Sequence, residues 1–287
     1  KKLILKFFSV LISKLIPRNP NLLVFGDRSG HKFTENSRYL FQYMSKNFKK
    51  KKCIWLTNDI SIYNLLNKNG YNCHISHSLI GIFYGFRAKW HIFNYSPQDT
   101  SIYSSIGAFH LNLWTGVQIK KLKKFKHKKN NLFKNYLIKI IFNKKYFLYP
   151  NLKYCKNIQD HYGNNYYNFF QGNFPKQIIF EKKNYNLIFN SEKQIINKIL
   201  RYNGKIIGYF PTWRDNGSEF YKLYKNKSFL YKLNNYLKAT NSVIILKQHS
   251  TSHEKNFKIL NKIQLSQFIF LDYNFDLNLI LNKCDLI

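Results

Sequence analysis

Acidic residues are scarce in this chain. Only 13 Asp and Glu stand against 47 Lys and Arg in 287 residues, a formal net charge of +34. Folding needs no such excess, so the imbalance points to a polyanionic partner: nucleic acid, an anionic membrane or a phosphate polymer. Part of it has a plainer source, because the chain is crowded with Lys, Asn, Ile, Phe and Tyr, as an AT-rich genome would give. Cysteine is sparse too. Cys53, Cys73, Cys155 and Cys284 show no paired spacing, which suggests neither a zinc site nor a disulfide framework and fits a reducing compartment. No P-loop, Gly-x-Gly-x-x-Gly or Gly-x-Ser-x-Gly string occurs. His74, His77, His91 and His161 lack metal-ligand spacing, so no metal site is expected. Nor does any apolar run reach the roughly 20 residues of a spanning helix. Residues 3–16 come nearest, but Lys6 and Lys14 break that run, Pro17 stops it, and no small-residue cleavage site follows. Two readings stay open for it: an interfacial helix on anionic lipid, or a helix packed on the first domain.

What is present is ample apolar material, 45% of the chain, in alternating units. Strands are expected at Leu22–Phe25, Cys53–Thr57, Trp90–Asn94 and Leu111–Trp114, with helices at Ser37–Asn47 and Ser61–Lys68. A second series has helices at Ser191–Leu200, Phe220–Leu237 and Leu277–Asn282. Its strands are expected at Lys205–Phe210, Ser242–Leu246 and Phe268–Leu271, with a further buried strand at Cys284–Ile287. Such alternation predicts parallel α/β sheets flanked by helices. The expected organisation is an N-terminal helix (1–19), a first domain (20–175) and a second (176–287). The chain starts with Lys and stops within an expected strand, which reads as an excised region. Within the first domain, residues 119–145 carry eleven lysines and no acidic residue, with Leu132, Phe133, Leu137, Ile138, Ile140, Ile141 and Phe142 interleaved. That pattern suits a membrane surface or a phosphate polymer, the alternative being a solvated helix with a buried stripe.

Three strand-like runs end in residues suited to an anion. Leu111–Leu122 closes on Trp114-Thr115-Gly116 and then on lysines, Gly208–Asp215 contains Pro211-Thr212-Trp213-Arg214, and Ile244–His249 ends in Lys247-Gln248-His249. A sheet whose strands end in anion-binding loops is a scaffold for phosphate chemistry. Arg214 can grip a phosphate bidentately, with the Thr212 hydroxyl adding a donor. If the chain stays extended, alternation directs Lys247 and His249 to one side.

In this order, the strings resemble the bacterial CDP-glycerol glycerophosphotransferase family, the teichoic-acid and capsule polymerases and primases. The family's strings are Trp-His-Gly followed by Lys, Pro-Thr-Trp-Arg, and Lys-x-His. Gly26–Phe41 resembles the family's entry segment, and Gly172–Lys176 its Gly-x-Pro-Arg element with one extra residue and Lys176 for Arg. The resemblance implies a GT-B-like fold of two Rossmann-like domains facing across a cleft, the second truncated at its C-terminus. It implies transfer of a polyol phosphate from a CDP-alditol to a polyol-phosphate polymer or lipid-linked acceptor, with release of CMP, at the cytoplasmic face of the plasma membrane. No cofactor beyond the donor substrate is implied, Mg2+ dependence stays open, and nucleic acid is not expected as a partner. Pro211, Thr212, Arg214, Lys247 and His249 fall on the donor side by the same resemblance, with His249 also placed to ease departure of CMP. Asn36, Ser37, Trp114, Gly116 and Lys120 fall on the acceptor side. Apart from the resemblance, Asn36 or Ser37 reads as a helix N-cap.

Thr115 occupies the position of the family's histidine, regarded as the general base, and a threonine hydroxyl takes no proton near neutral pH. Three readings remain open: His110 substitutes from the same strand, no base is needed because positioning supplies most of the rate, or catalysis is impaired. An impaired relative would act as a polymer- or membrane-binding module. Nucleic-acid binding is the remaining class, and the Tyr and Phe among the lysines form no motif for it.

Overall fold

The computed structural model describes residues 2–118, 145–162, 167–181, 187–211, 226–247, 265–272 and 275–287. The chain divides into two compact units, Lys1–Leu187 and Ile188–Ile287. The basic stretch 119–144 lies outside the described residues.

The first unit is a seven-stranded sheet of order β3-β2-β1-β4-β5-β6-β7, with every described pairing parallel. Its strands are β1 (Asn19–Phe25), β2 (Lys52–Thr57), β3 (Cys73–Ile75), β4 (Ala88–Phe93), β5 (Phe109–Asn112), β6 (Lys145–Tyr149) and β7 (Asn168–Gln171). Parallel strands are covered on both faces and so read as unbroken apolar runs. Leu22–Phe25 and Cys53–Leu56 are such runs, buried throughout. Helices α1 (Lys2–Leu15), α2 (Glu35–Asn47), α3 (Ile60–Lys68), α4 (Leu79–Arg87) and α5 (Lys156–Tyr162) accompany the strands. Asp59 caps α3 through Ser61 N–H at 2.8 Å, and Ser78 caps α4 through Gly81 N–H at 3.1 Å. The turn Pro175–Phe180 also belongs to this unit and packs on α2; the expected division after residue 175 falls at its start.

Arg18, just before β1, organises the amino edge of this sheet. Its guanidinium donates to the carbonyls of Gly85 (3.3 Å), Ala88, Ser104 (3.0 Å) and Ile106. The first two terminate α4, where the helix dipole favours a cation. Burial lowers the Arg18 pKa to about 10. α4 approaches so closely that a Cβ on Gly85 would stand 2.2 Å from Ser104 Oγ, so only glycine fits there.

The second unit has a three-stranded parallel sheet of order β10-β9-β8, from β8 (Lys205–Tyr209), β9 (Ser242–Lys247) and β10 (Phe268–Leu271). Helices α6 (Asn190–Leu200) and α7 (Lys227–Ala239) belong to it, and Leu230, Leu237, Ile244, Leu246 and Leu265 form its core. Two expectations fail here. Leu277–Asn282 forms two short 3-10 turns, Leu277–Leu279 and Leu281–Lys283, because Asp276 bonds both the backbone and the side chain of Asn278 and the chain turns again at Ile280. Cys284–Ile287 makes a single bridge, Leu286 to Ile207, rather than a buried strand. Asp285 accepts Ile206 N–H at 2.7 Å, and Leu286 and Ile287 are exposed.

Candidate active site

The chain leaves β1 on one side of the sheet for β2 and β3, then returns through α4 to β4 on the other. The carboxyl ends of β1 and β4 therefore flank the topological switch point, where doubly wound sheets bind ligands. Residues 26–37, 94–99, 113–116 and 175–176 converge there.

At the end of β1, Gly26 is required because a Cβ would lie 2.0 Å from Asp99 O. Asp27 follows, fully buried. Its Oδ2 accepts the Thr34 hydroxyl at 2.7 Å, while Oδ1 has no hydrogen-bond partner. Burial pushes its pKa up to about 7; nearby Asp99 and Glu35 add to the rise, and the Asn94 amide and Thr34 hydroxyl oppose it. Arg28 and Ser29 then take left-handed φ of 46° and 55°. Asp99 holds this strained turn, accepting Ser29 N–H at 3.0 Å through Oδ1 and Tyr95 N–H at 2.8 Å through Oδ2. The exposed Arg28 guanidinium lies 4.1 Å from the centre of the Tyr95 ring, a cation–π contact. Burial raises the pKa of the Tyr95 phenol well above its usual value, and the charge of Arg28 and the Thr115 hydroxyl oppose that rise.

α2 begins at Glu35, and its N-cap is Thr34, whose hydroxyl serves Asp27 instead of capping. The expected capping role of Asn36 or Ser37 is replaced by something more specific. Asn36, fully buried, donates to Leu113 O (3.2 Å) and Trp114 O (2.7 Å) and accepts Lys176 N–H at 3.1 Å. Ser37, equally buried, gives its N–H to Asn94 Oδ1 at 3.0 Å and accepts Asn94 Nδ2 on its hydroxyl at 2.8 Å. One helix start thus fastens the ends of β4 and β5 and the turn after Phe174.

β5 ends two residues earlier than expected, because Asn112 Oδ1 accepts Trp114 N–H at 2.9 Å and turns the chain. Trp114 takes a φ of 52° and packs its indole near Tyr95, Phe147 and Tyr162. Thr115 and Gly116 follow; a Cβ on Gly116 would meet nothing within 4 Å. Lys176 Nζ completes the arrangement by donating to Thr115 O and pairing with Glu35 Oε2 at 3.0 Å. Glu35 itself sits at φ 60°, left-handed for a residue with a Cβ.

His110 is withdrawn from the site. It is buried on β5, its Nε2 bonds Ser105 O at 2.9 Å, and burial lowers its pKa to about 4. His91 is buried likewise, with Nδ1 2.8 Å from the Thr100 hydroxyl and Nε2 2.9 Å from Gly85 O. Both imidazoles belong to the core. In the second unit Pro211 follows β8 and Lys247 closes β9, at the carboxyl ends of neighbouring parallel strands. Thr212, Arg214, His249 and Lys120 lie outside the described residues. Among the described residues, no group of three or more His, Cys, Asp or Glu is placed to hold a metal.

The sequence strings mark the loop after β5 and, through the resembling segments Gly26–Phe41 and Gly172–Lys176, the stretches that carry Asp27, Arg28, Glu35 and Lys176, but they give no role to Asp27, Arg28 or Tyr95.

Comparison with known proteins identifies the family and the fold. The chain is 26% identical over 289 residues to the teichoic acid poly(glycerol phosphate) polymerase of Bacillus spizizenii, covering 96% of this chain and 70% of that protein. Its fold is that of the wall teichoic acid polymerase TagF, a GT-B-like enzyme, with a TM-score of 0.67, 18% identity, and coverage of 98% of this chain and 69% of the other. A histidine variant of TagF soaked with CDPG is similar, at a TM-score of 0.66 and 16% identity. Residues 7–287 match the CDP-Glycerol:Poly(glycerophosphate) glycerophosphotransferase family along almost their whole length, and the chain belongs to that family of transferases.

Proposed function

We propose that this protein transfers glycerol phosphate, or a related polyol phosphate, from a CDP-activated donor to a teichoic-acid-like or capsular polymer and releases CMP. The carrying observation is the carboxyl edge of the first sheet. There a buried polar lattice fixes the loop Leu113–Gly116 beside an exposed arginine, Arg28, and a half-buried lysine, Lys176. Preorganised cations and donors of this kind serve phosphoryl transfer, which asks for positioning and charge stabilisation above all. On the donor side, Arg214, Thr212, Lys247 and His249 are assigned to the CDP pyrophosphate, and Pro211 shapes their loop. The acceptor side is assigned to Asn36, Ser37, Trp114, Gly116 and Lys120, and Asn36 holds the carbonyls of Leu113 and Trp114.

The protein works as a peripheral one at the cytoplasmic face of the bacterial plasma membrane. Among the described residues, no helix is long and apolar enough to cross a membrane. α1, however, turns Leu5, Phe8, Leu11, Ile12 and Leu15 to solvent while its Ser9 is buried, an apolar face suited to an anionic bilayer beside Lys14. The lysines of 119–145 add attraction to anionic lipid or to the phosphate polymer.

The test is CMP release from CDP-glycerol with a poly(glycerol phosphate) acceptor. Wild type is expected to release CMP only when acceptor is present, and Arg214→Ala to weaken donor binding, because that residue grips the ground-state pyrophosphate as well as the transition state. Absence of CDP-glycerol binding would overturn the reading.

A further inference from the structure

Thr115 leaves open which group takes the proton from the attacking hydroxyl. Among the described residues, four carboxylates stand at the carboxyl edge of the first sheet: Asp27, Asp59, Asp99 and Glu35, and Asp59 is spent capping α3 through Ser61 N–H at 2.8 Å and Ile62 N–H at 3.3 Å. Asp27 and Asp99 are 0% and 2% exposed and are spent on Thr34 and on the turn at Ser29 and Tyr95. A substrate hydroxyl cannot reach them. The Glu35 side chain is 28% exposed, and one ammonium, Lys176 Nζ, touches both its Oε2 and the carbonyl of Thr115. Glu35 and Trp114, on the two facing segments, both take left-handed φ, at 60° and 52°. Strain of that kind persists where the surroundings over-determine a conformation, and it clusters at active sites. The buried imidazoles of His91 and His110 are out of reach.

We propose that Glu35 is the catalytic base of this protein, taking at the Thr115 loop the role that the family gives to a histidine. The assignment rests on the transferase reading. The acceptor hydroxyl gives its proton to a Glu35 carboxylate oxygen, and its oxygen forms a bond to the β-phosphorus of the CDP-alditol. The bond from that phosphorus to the bridging oxygen breaks, CMP leaves with the electron pair, and the proton passes to solvent. A carboxylate suits this step, since protein kinases use an aspartate to accept a substrate hydroxyl proton in a loose phosphoryl transfer. Lys176 is the positioning residue: its ammonium fixes Glu35 against the loop.

The experiment measures CMP release with CDP-glycerol and poly(glycerol phosphate) across pH, for wild type, Glu35→Gln, Glu35→Asp and Glu35→Gln/Thr115→His, with thermal melts of each. Glu35→Gln is expected to lower kcat by roughly 10²–10⁴-fold, with KM for CDP-glycerol nearly unchanged and the acid limb of the pH profile lost. Glu35→Asp retains part of the rate. Adding Thr115→His to Glu35→Gln is expected to restore turnover at least about tenfold, with a new acid limb near pH 6.5 from the imidazole. Wild-type turnover in Glu35→Gln overturns the assignment. So does a loss that follows a lowered melting point and is not relieved by Thr115→His. Wild type that neither binds CDP-glycerol nor releases CMP overturns the transferase reading and Glu35 with it, an outcome distinct from an active wild type with an equally active Glu35→Gln.

Discussion

The two edges of the first sheet are each fastened by a cation that donates to backbone carbonyls, yet they do different work. At the amino edge Arg18 closes on four carbonyls, from Gly85, Ala88, Ser104 and Ile106, with no carboxylate among those contacts. At the carboxyl edge Lys176 closes on one carbonyl, Thr115, and one carboxylate, Glu35, and both partners remain in reach of solvent. A guanidinium spread over four acceptors is a staple, whereas an ammonium shared between a loop and a carboxylate is a positioning device. Stability and chemistry are thus separated along the strand direction, and the strained backbone at Arg28, Ser29, Glu35 and Trp114 falls at the carboxyl edge.

Breaking the staple has the largest expected effect. Arg18→Ala leaves several buried carbonyls without their donor, at roughly 1–3 kcal/mol for each group so stranded. We expect a total loss on the order of 3 kcal/mol, a fall of roughly 5–10 °C in melting temperature, with CDP-glycerol affinity unchanged below the melt. Loss of donor binding with an intact melt would blur the division between the edges.

The buried histidines sharpen the comparison through pH. His110 has a folded pKa of about 4, and His91 is also lowered well below 6.5, first by burial and then by the charge of Arg18. Groups depressed in the folded state contribute stability above their unfolded pKa and lose it as pH falls through the folded value. Stability contributed by this pair is therefore lost between about pH 6.5 and 4. Asp27, raised to about 7 by burial, acts in the opposite sense: its contribution is full below pH 3.8 and is lost as pH rises to about 7. Urea titrations at several pH values should show a shallower acid limb in His110→Gln and a shallower opposing slope in Asp27→Asn. An unchanged slope in both would refute the buried-imidazole picture.

Lys176→Ala reverses the pattern of Arg18→Ala. Its ion pair is partly exposed and contributes under about 1 kcal/mol to stability, so the melt should move little while CMP release falls about tenfold or more. A changed melt with unchanged kcat would place Lys176 with the staple.

The smallest effect concerns α1. Binding to anionic vesicles should weaken with salt, because exposed charge is screened over about 10 Å at 0.1 M, and Leu15→Ser should reduce it only modestly. Equal binding to neutral and anionic vesicles would remove the electrostatic part.

Much of this architecture was legible in the sequence, and the reason is the burial of parallel strands. Leu22–Phe25, Cys53–Leu56, Val243–Leu246 and Phe268–Leu271 are apolar without interruption, and each lies in a strand. β3 and α4 escaped notice because three residues, Cys73–Ile75, make too short a run, and two glycines dilute the Leu79–Arg87 pattern. β6 and β7 are brief and begin beside the basic and aromatic stretches. The strand expected at Leu111–Trp114 lies two residues earlier, at Phe109–Asn112, since the Asn112 side chain outcompetes the ladder for Trp114 N–H. Thr115 stood out by its string. Its meeting with Asp27, Glu35, Tyr95 and Lys176 did not, because these are separated by up to 149 positions and meet only through sheet order and the folding of the turn Pro175–Phe180 onto α2.

The most direct test of the account is acceptor-dependent CMP release in the pair Glu35→Gln and Glu35→Gln/Thr115→His at pH 7.5. The account predicts near-silence in the first and recovery in the second, with both proteins folded and binding CDP-glycerol as wild type does. Full turnover by Glu35→Gln, or silence in both beside an active wild type, would contradict it.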